Sequence, residues 1–170
     1  MAINLEAYQK IKQLANEKNA QLIAVSKTKP NESILELYNI GQRLFGENKV
    51  QELTAKKEAL PKDIEWHLIG HLQSNKVKYI APFVALIHSV DSINLLQEIN
   101  RQAQKNNRTI NCLLQMHIAE EETKFGLNEM ELKELLSGDT YQELQNIRIC
   151  GLMGMATNTT NETQIAKEFA

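Results

Sequence analysis

Short, nearly continuous apolar runs alternate along the chain with longer segments in which apolar residues recur every three or four positions. The short runs are residues 22–26 (LIAVS), 43–45 (RLF), 65–69 (EWHLI), 85–89 (ALIHS), 112–118 (CLLQMHI) and 148–153 (RICGLM), and they read as strands. They lack the clean alternation of a half-exposed sheet. Both faces are therefore expected to be covered, as in a parallel sheet. Helices are predicted between them. Leu5, Tyr8, Ile11, Leu14 and Ala15 share one face of a first helix. Asn31 is placed to cap a second, which carries Ile34, Leu35, Leu37 and Tyr38 and stops at Gly41. A third is expected over 48–60, ended by Pro61, and a short one over 75–81 before Pro82. Residues 92–105 place Leu95, Leu96, Ile99 and Ala103 on one stripe. Asn128 with Glu131 has the spacing of a capping box, followed by Leu132, Leu135 and Leu136 and closed by Gly138. A last helix begins at Glu162.

One helix followed by six strand–helix units predicts a single α/β domain over residues 1–170, with a parallel sheet and right-handed crossovers. Two architectures fit this order: an open doubly wound sheet, or part of a (β/α)8 barrel of the TIM type, which normally takes about 250 residues. Composition narrows the function more than the fold. Of the 170 residues, 42% are hydrophobic and 24% charged, an ordinary globular mixture. With 5% aromatics and a net charge of −2, the chain is poorly suited to a nucleic-acid partner. The two cysteines, Cys112 and Cys150, form no C-x-x-C pair and are expected to be buried thiols in a reducing compartment. The N-terminus is amphipathic rather than a signal peptide, and no apolar run approaches the ~20 residues of a membrane span. A cytoplasmic location without a membrane partner is the expectation.

In either architecture ligands bind at the carboxyl ends of the strands. The residues there are Ser26-Lys27-Thr28, Gly46-Glu47-Asn48, Gly70-His71, Ser89-Val90-Asp91, the stretch from His117 to Lys124, and Met153-Gly154-Met155. Lys27 directly follows an apolar strand, so its stem is expected among buried side chains. Such a lysine either serves as a nucleophile or simply pairs with an acid. His67 and His71 are four apart, but Gly70 interrupts the segment, and shared metal ligation is not expected. His88 and His117 read as core histidines, and Glu120–Glu122 as a solvated loop. There is no Walker A loop and no G-x-G-x-x-G.

Taken in order, these strand ends resemble the pyridoxal phosphate homeostasis protein family. The resemblance rests on Ala24-Val25-Ser26-Lys27-Thr28-Lys29-Pro30, on residues 45–52 (FGENKVQE), on residues 66–76 (WHLIGHLQSNK), on His88-Ser89-Val90-Asp91, on residues 121–126 (EETKFG) and on Gly151-Leu152-Met153-Gly154-Met155. It implies the single-domain (β/α)8 barrel of fold-type III pyridoxal phosphate (PLP) proteins, like the barrel of alanine racemase. It implies PLP held as a Schiff base on Lys27, with Asn48 beside the cofactor and Met153 at the barrel mouth. His67 lies in a family-typical segment, and Lys124 belongs to a motif linked to cofactor handling. No metal is implied.

Two departures qualify the match. His117 stands where many members carry Asn. Family members also continue for about two further β–α units, which hold the phosphate cradle and close the barrel. The complete family fold implies a monomer, and this shorter chain is expected to associate through its open edges. The implied role is to hold PLP, with PLP-dependent apoenzymes as the partners it would supply. The alternative is a fold-type III amino-acid racemase, which needs a second base brought by another domain, and no such domain is expected within these 170 residues.

Overall fold

A computed structural model describes residues 3–121 and 125–170. Helix α1 (Leu5–Glu17) precedes β1 (Ala24–Val25), α2 (Asn31–Asn39), β2 (Leu44–Glu47), α3 (Val50–Ala59) and β3 (Glu65–Leu68). A 3-10 turn (Ser74–Lys76) then leads into α4 (Val77–Ile80), β4 (Leu86–Val90), α5 (Ile93–Lys105) and β5 (Ile110–Met116). The chain continues through α6 (Glu129–Ser137), α7 (Asp139–Gln142), β6 (Ile147–Gly154) and α8 (Glu162–Glu168).

The sheet decides between the two architectures. Its order is β1-β2-β3-β4-β5-β6, and every pairing is parallel. A doubly wound sheet reverses its strand order at a switch point. Here each crossover steps the same way, so right-handed crossovers place all the helices on one side, as in a barrel wall. Residues in register share a face. Glu47, Leu68, Ile87, Cys112 and Ile149 form one row across β2–β6, on the helix side. Leu68, Ile87 and Cys112 are fully buried there with Leu53 of α3 and Leu96 and Ile99 of α5. Phe45 and Trp66, two positions earlier and so on the same face, are also fully buried, their ring centroids 6.0 Å apart. The other face carries the row Val25, Gly46, His67, Leu86, Asn111 and Arg148. This inner face is open: Val25 is half exposed and Arg148 exposed.

Side-chain caps fix several helix starts. Ser92 caps α5 through Leu95 N–H, and the Asn128–Glu131 capping box opens α6. Four expectations are corrected. Pro30, not Asn31, is the N-cap of α2: its fixed φ of −70° suits the position, and Asn31 is already helical. Strand β1 is two residues long rather than five. The apolar stripe of α1 stays exposed at Leu5, Ile11 and Leu14, and Tyr8 ties the helix down by donating to Gln42 Oε1 at 2.8 Å. Cys150 is exposed, because it sits where the β5–β6 register shifts on the edge strand of the sheet; Cys112 is buried, which pushes its thiol up to about 12. No helix among the described residues is long and apolar enough to cross a membrane.

Candidate functional site at the carboxyl ends of the strands

Side-chain and backbone contacts tie together the carboxyl ends of most neighbouring strands. Ser26 Oγ, just past β1, donates to Glu47 Oε1 at the end of β2 at 2.6 Å. Gly70, beyond β3, lies against the backbone of Asn48; a Cβ there would stand 2.5 Å from Asn48 O and 2.8 Å from its Cα. Ser89 Oγ of β4 donates to Gly70 O at 2.5 Å. His71 contacts Asp91, with Nδ1 3.4 Å from the carboxylate, and stacks on Phe125 at 4.0 Å between centroids. Beyond β5, Glu121 accepts from Asn158 N–H, which follows β6. Gly70 permits the closest of these approaches. We expect Gly70→Ala to destabilise the chain by about 2 kcal/mol in urea unfolding, because backbone rather than a yielding side chain occupies the space.

Lys27 occupies the second position of a β-turn closed by Lys29 N–H on Ser26 O at 3.0 Å. Thr28 in the third position has φ +62°, where glycine is the usual residue. The Lys27 side chain is exposed, not held among buried side chains as the run at 22–26 suggests. The reason is the shortness of β1, which ends two residues before it. Among the described residues its amine makes no hydrogen bond or ion pair. Asn48 is half-buried at the rim. Met153, half-buried in β6, is in register with Gln115 and shares the inner face with Asn111 by alternation. Lys27 and Met153 thus mark opposite edges of the sheet. Lys124 lies outside the described residues.

His67 sits deeper, on the inner face within β3, and does not converge with His71. Its Nδ1 is 2.9 Å from Nε2 of His88. Burial, reinforced by the neighbouring imidazole, lowers His67 to about 4, and burial lowers His88 as well. At neutral pH both rings are uncharged, and the single hydrogen between them needs one donor and one acceptor nitrogen. His117, just past β5, places Nε2 3.1 Å from Glu121 O.

Beneath the rim lies a group that the sequence motifs did not single out. Lys56 of α3, 6% exposed, donates to Glu47 Oε1 at 2.8 Å, Glu52 Oε1 at 2.6 Å and Ser26 O at 2.7 Å. Thr28 N–H donates to the same Glu52 oxygen at 2.7 Å. The i,i+4 spacing of Glu52 and Lys56 was a visible sign of the pair. Its burial and the arrival of Glu47 and Ser26 follow only from the fold. A mainly apolar cavity of about 520 Å³ opens at the edge of β1, lined by Val25, Ile34, Leu37 and Phe45 and by Ser26 and Thr28 of the same turn; Lys27 is not among its lining residues.

Residues 4–170 match the family described as alanine racemase, N-terminal domain. The chain is 44% identical over 154 residues to the pyridoxal phosphate homeostasis protein of Aquifex aeolicus (strain VF5), covering 90% of this chain and 67% of that one. The chain belongs to the pyridoxal phosphate homeostasis protein family. A second family member, from Escherichia coli (strain K12), is 36% identical over 88% of this chain and 66% of its own. The chain thus spans about two thirds of the length of these curated relatives. The structure of PipY of Synechococcus elongatus PCC7942 with PLP bound superposes with a TM-score of 0.78 at 36% identity, covering 93% of this chain and 76% of that one. Alanine racemase from Streptomyces coelicolor A3(2) superposes with a TM-score of 0.75 at 15% identity, over 93% of this chain and 43% of its own, and so shares the barrel fold with the family.

Proposed function

We propose that this chain binds pyridoxal 5′-phosphate and serves intracellular PLP homeostasis as a carrier rather than as a racemase. The observation that carries this reading is the exposed Lys27 amine on the turn after β1, free of hydrogen bonds and ion pairs among the described residues. Homeostasis proteins at up to 44% identity and the PLP-bound PipY structure support it. PLP brings an aldehyde that condenses with a primary amine, losing water to form a C=N bond.

The donor set suits that chemistry. An amine already engaged by a carboxylate would first have to be freed, and Lys27 is not. Asn48 stands at the same rim as a neutral hydrogen-bonding group for the ligand. His67 and His88 keep the inner face beneath it polar without adding charge. Met153 offers a polarizable apolar side chain on the inner face. Lys124, in the segment after β5, completes the set we assign to cofactor handling. A carrier needs a reversible bond and no second base, which fits a chain whose product would be PLP passed on to PLP-dependent apoenzymes.

The test is to add PLP to the chain and to Lys27→Ala, reduce with borohydride and map the modified peptide. Wild type is expected to show a visible absorbance band and a reduced adduct on Lys27, both lost in the variant. An equal band in both proteins would overturn the assignment.

A further inference from the structure

We propose that Glu52 and Lys56 form a positioning clamp on the turn that carries Lys27 and so set how fast its amine condenses with an aldehyde. This rests on the reading of Lys27 as the attachment point. The turn is gripped on both sides of that residue. On one side, Ser26 O accepts from Lys29 N–H within the turn and from Lys56 Nζ below it. On the other, Thr28 N–H donates to Glu52. Lys27 itself is touched by neither, so the clamp fixes the backbone and leaves the amine free.

Three features show that the hold is specific. Lys56 has three donors, and all three are used, on Ser26, Glu47 and Glu52. Thr28 is a β-branched residue at φ +62°, a conformation that the turn must be held in rather than one it relaxes into. Glu47 is fully buried and its Oε2 has no hydrogen-bond partner, so the carboxylate depends on Lys56 and on Ser26 Oγ. The Lys56 hydrogen bond, with help from Thr28 N–H and against partial burial, holds the Glu52 carboxyl below its ordinary range. Glu52 is therefore charged at neutral pH and accepts strongly from Thr28.

Loosening the turn lets Lys27 sample orientations that do not reach a bound aldehyde, and the condensation slows. The step itself is unchanged: amine and aldehyde join, the C=N bond forms and water leaves. The chain and its Glu52→Ala, Glu52→Asp and Glu52→Gln variants would be mixed with PLP and quenched with borohydride at timed intervals. Peptide mapping would give the modification of Lys27 relative to the exposed Lys18 and Lys62, with circular dichroism confirming the fold. Glutamine keeps an acceptor for Thr28 N–H; alanine removes it; aspartate keeps the charge but draws the oxygen back, and carries the test if the alanine variant does not fold.

The ratio is expected to fall about tenfold in Glu52→Ala and Glu52→Asp and to stay within about threefold of wild type in Glu52→Gln. Equal ratios in all four proteins overturn the clamp, as does an equal loss in the glutamine and alanine variants, which would make the effect one of charge alone. A wild type with no preference for Lys27 overturns the attachment reading itself, a different result from either.

Discussion

Replacing Lys56 by methionine is expected to destabilise the chain by about 3–5 kcal/mol, the usual cost of removing one partner from a buried ion pair. Two carboxylates lose their cation at once. Glu47 is completely buried, so water cannot replace the lost partner, and its Oε2 already lacks one. Ser26 O also loses a donor. Urea unfolding followed by circular dichroism would measure the change. Because the damage comes from the stranded charge, Glu47→Gln added to Lys56→Met should recover part of it, and the double variant should be more stable than the sum of the single changes. A loss under 1 kcal/mol in Lys56→Met would mean that the cluster is hydrated in solution and does not hold the first two strand ends.

Acidification should reveal the inner face. His67 titrates near its ordinary 6.5 when unfolded and at about 4 when folded. Between these values the unfolded chain binds a proton that the folded chain refuses, so stability is complete above about 6.5 and falls as the pH is lowered towards 4. The slope is about 1.4 kcal/mol per pH unit while the difference lasts, or about 3 kcal/mol across the window. His88 is lowered by burial and acts in the same direction. Surface carboxylates such as Glu129, held low by Lys133, contribute only nearer their own range, at the acid end. Urea midpoints at half-unit steps from pH 7 to pH 4 would give the curve for wild type and for His67→Gln. The variant should be clearly flatter between pH 6.5 and 5; an identical slope would remove the buried imidazole as its source.

The parts of the fold that could be read from the sequence are those written in local periodicity. The strand–helix alternation, the α5 stripe through Leu95, Leu96 and Ile99, and the Asn128–Glu131 box all appear where the pattern puts them. The choice of barrel wall over doubly wound sheet was not in the pattern, because strand order is a property of long-range pairing. The site divides in the same way. That Lys27, Asn48 and the Gly70-His71 segment follow the carboxyl ends of β1, β2 and β3 was legible, because the apolar runs mark where those strands stop. The exposure of Lys27 was missed because an apolar run of five residues yields only two with strand pairing. The cluster below it joins Ser26, Glu47, Glu52 and Lys56 from three elements, and only the i,i+4 pair within α3 was visible beforehand. For α1, periodicity identified the face that seeks cover but not what would cover it, and Leu14 remains 57% exposed.

The two cysteines differ in a way that makes one of them a reporter. Cys112 is sealed in the core with its thiol pushed up to about 12, while Cys150 is exposed on the outermost strand. A maleimide dye should therefore react at Cys150 alone, without removing any native residue. That dye would sit on β6, whose far side pairs with no strand among the described residues. Its emission and the rate at which it can be attached would then register anything that comes to lie along that edge, whether another stretch of polypeptide or a second molecule of the same chain.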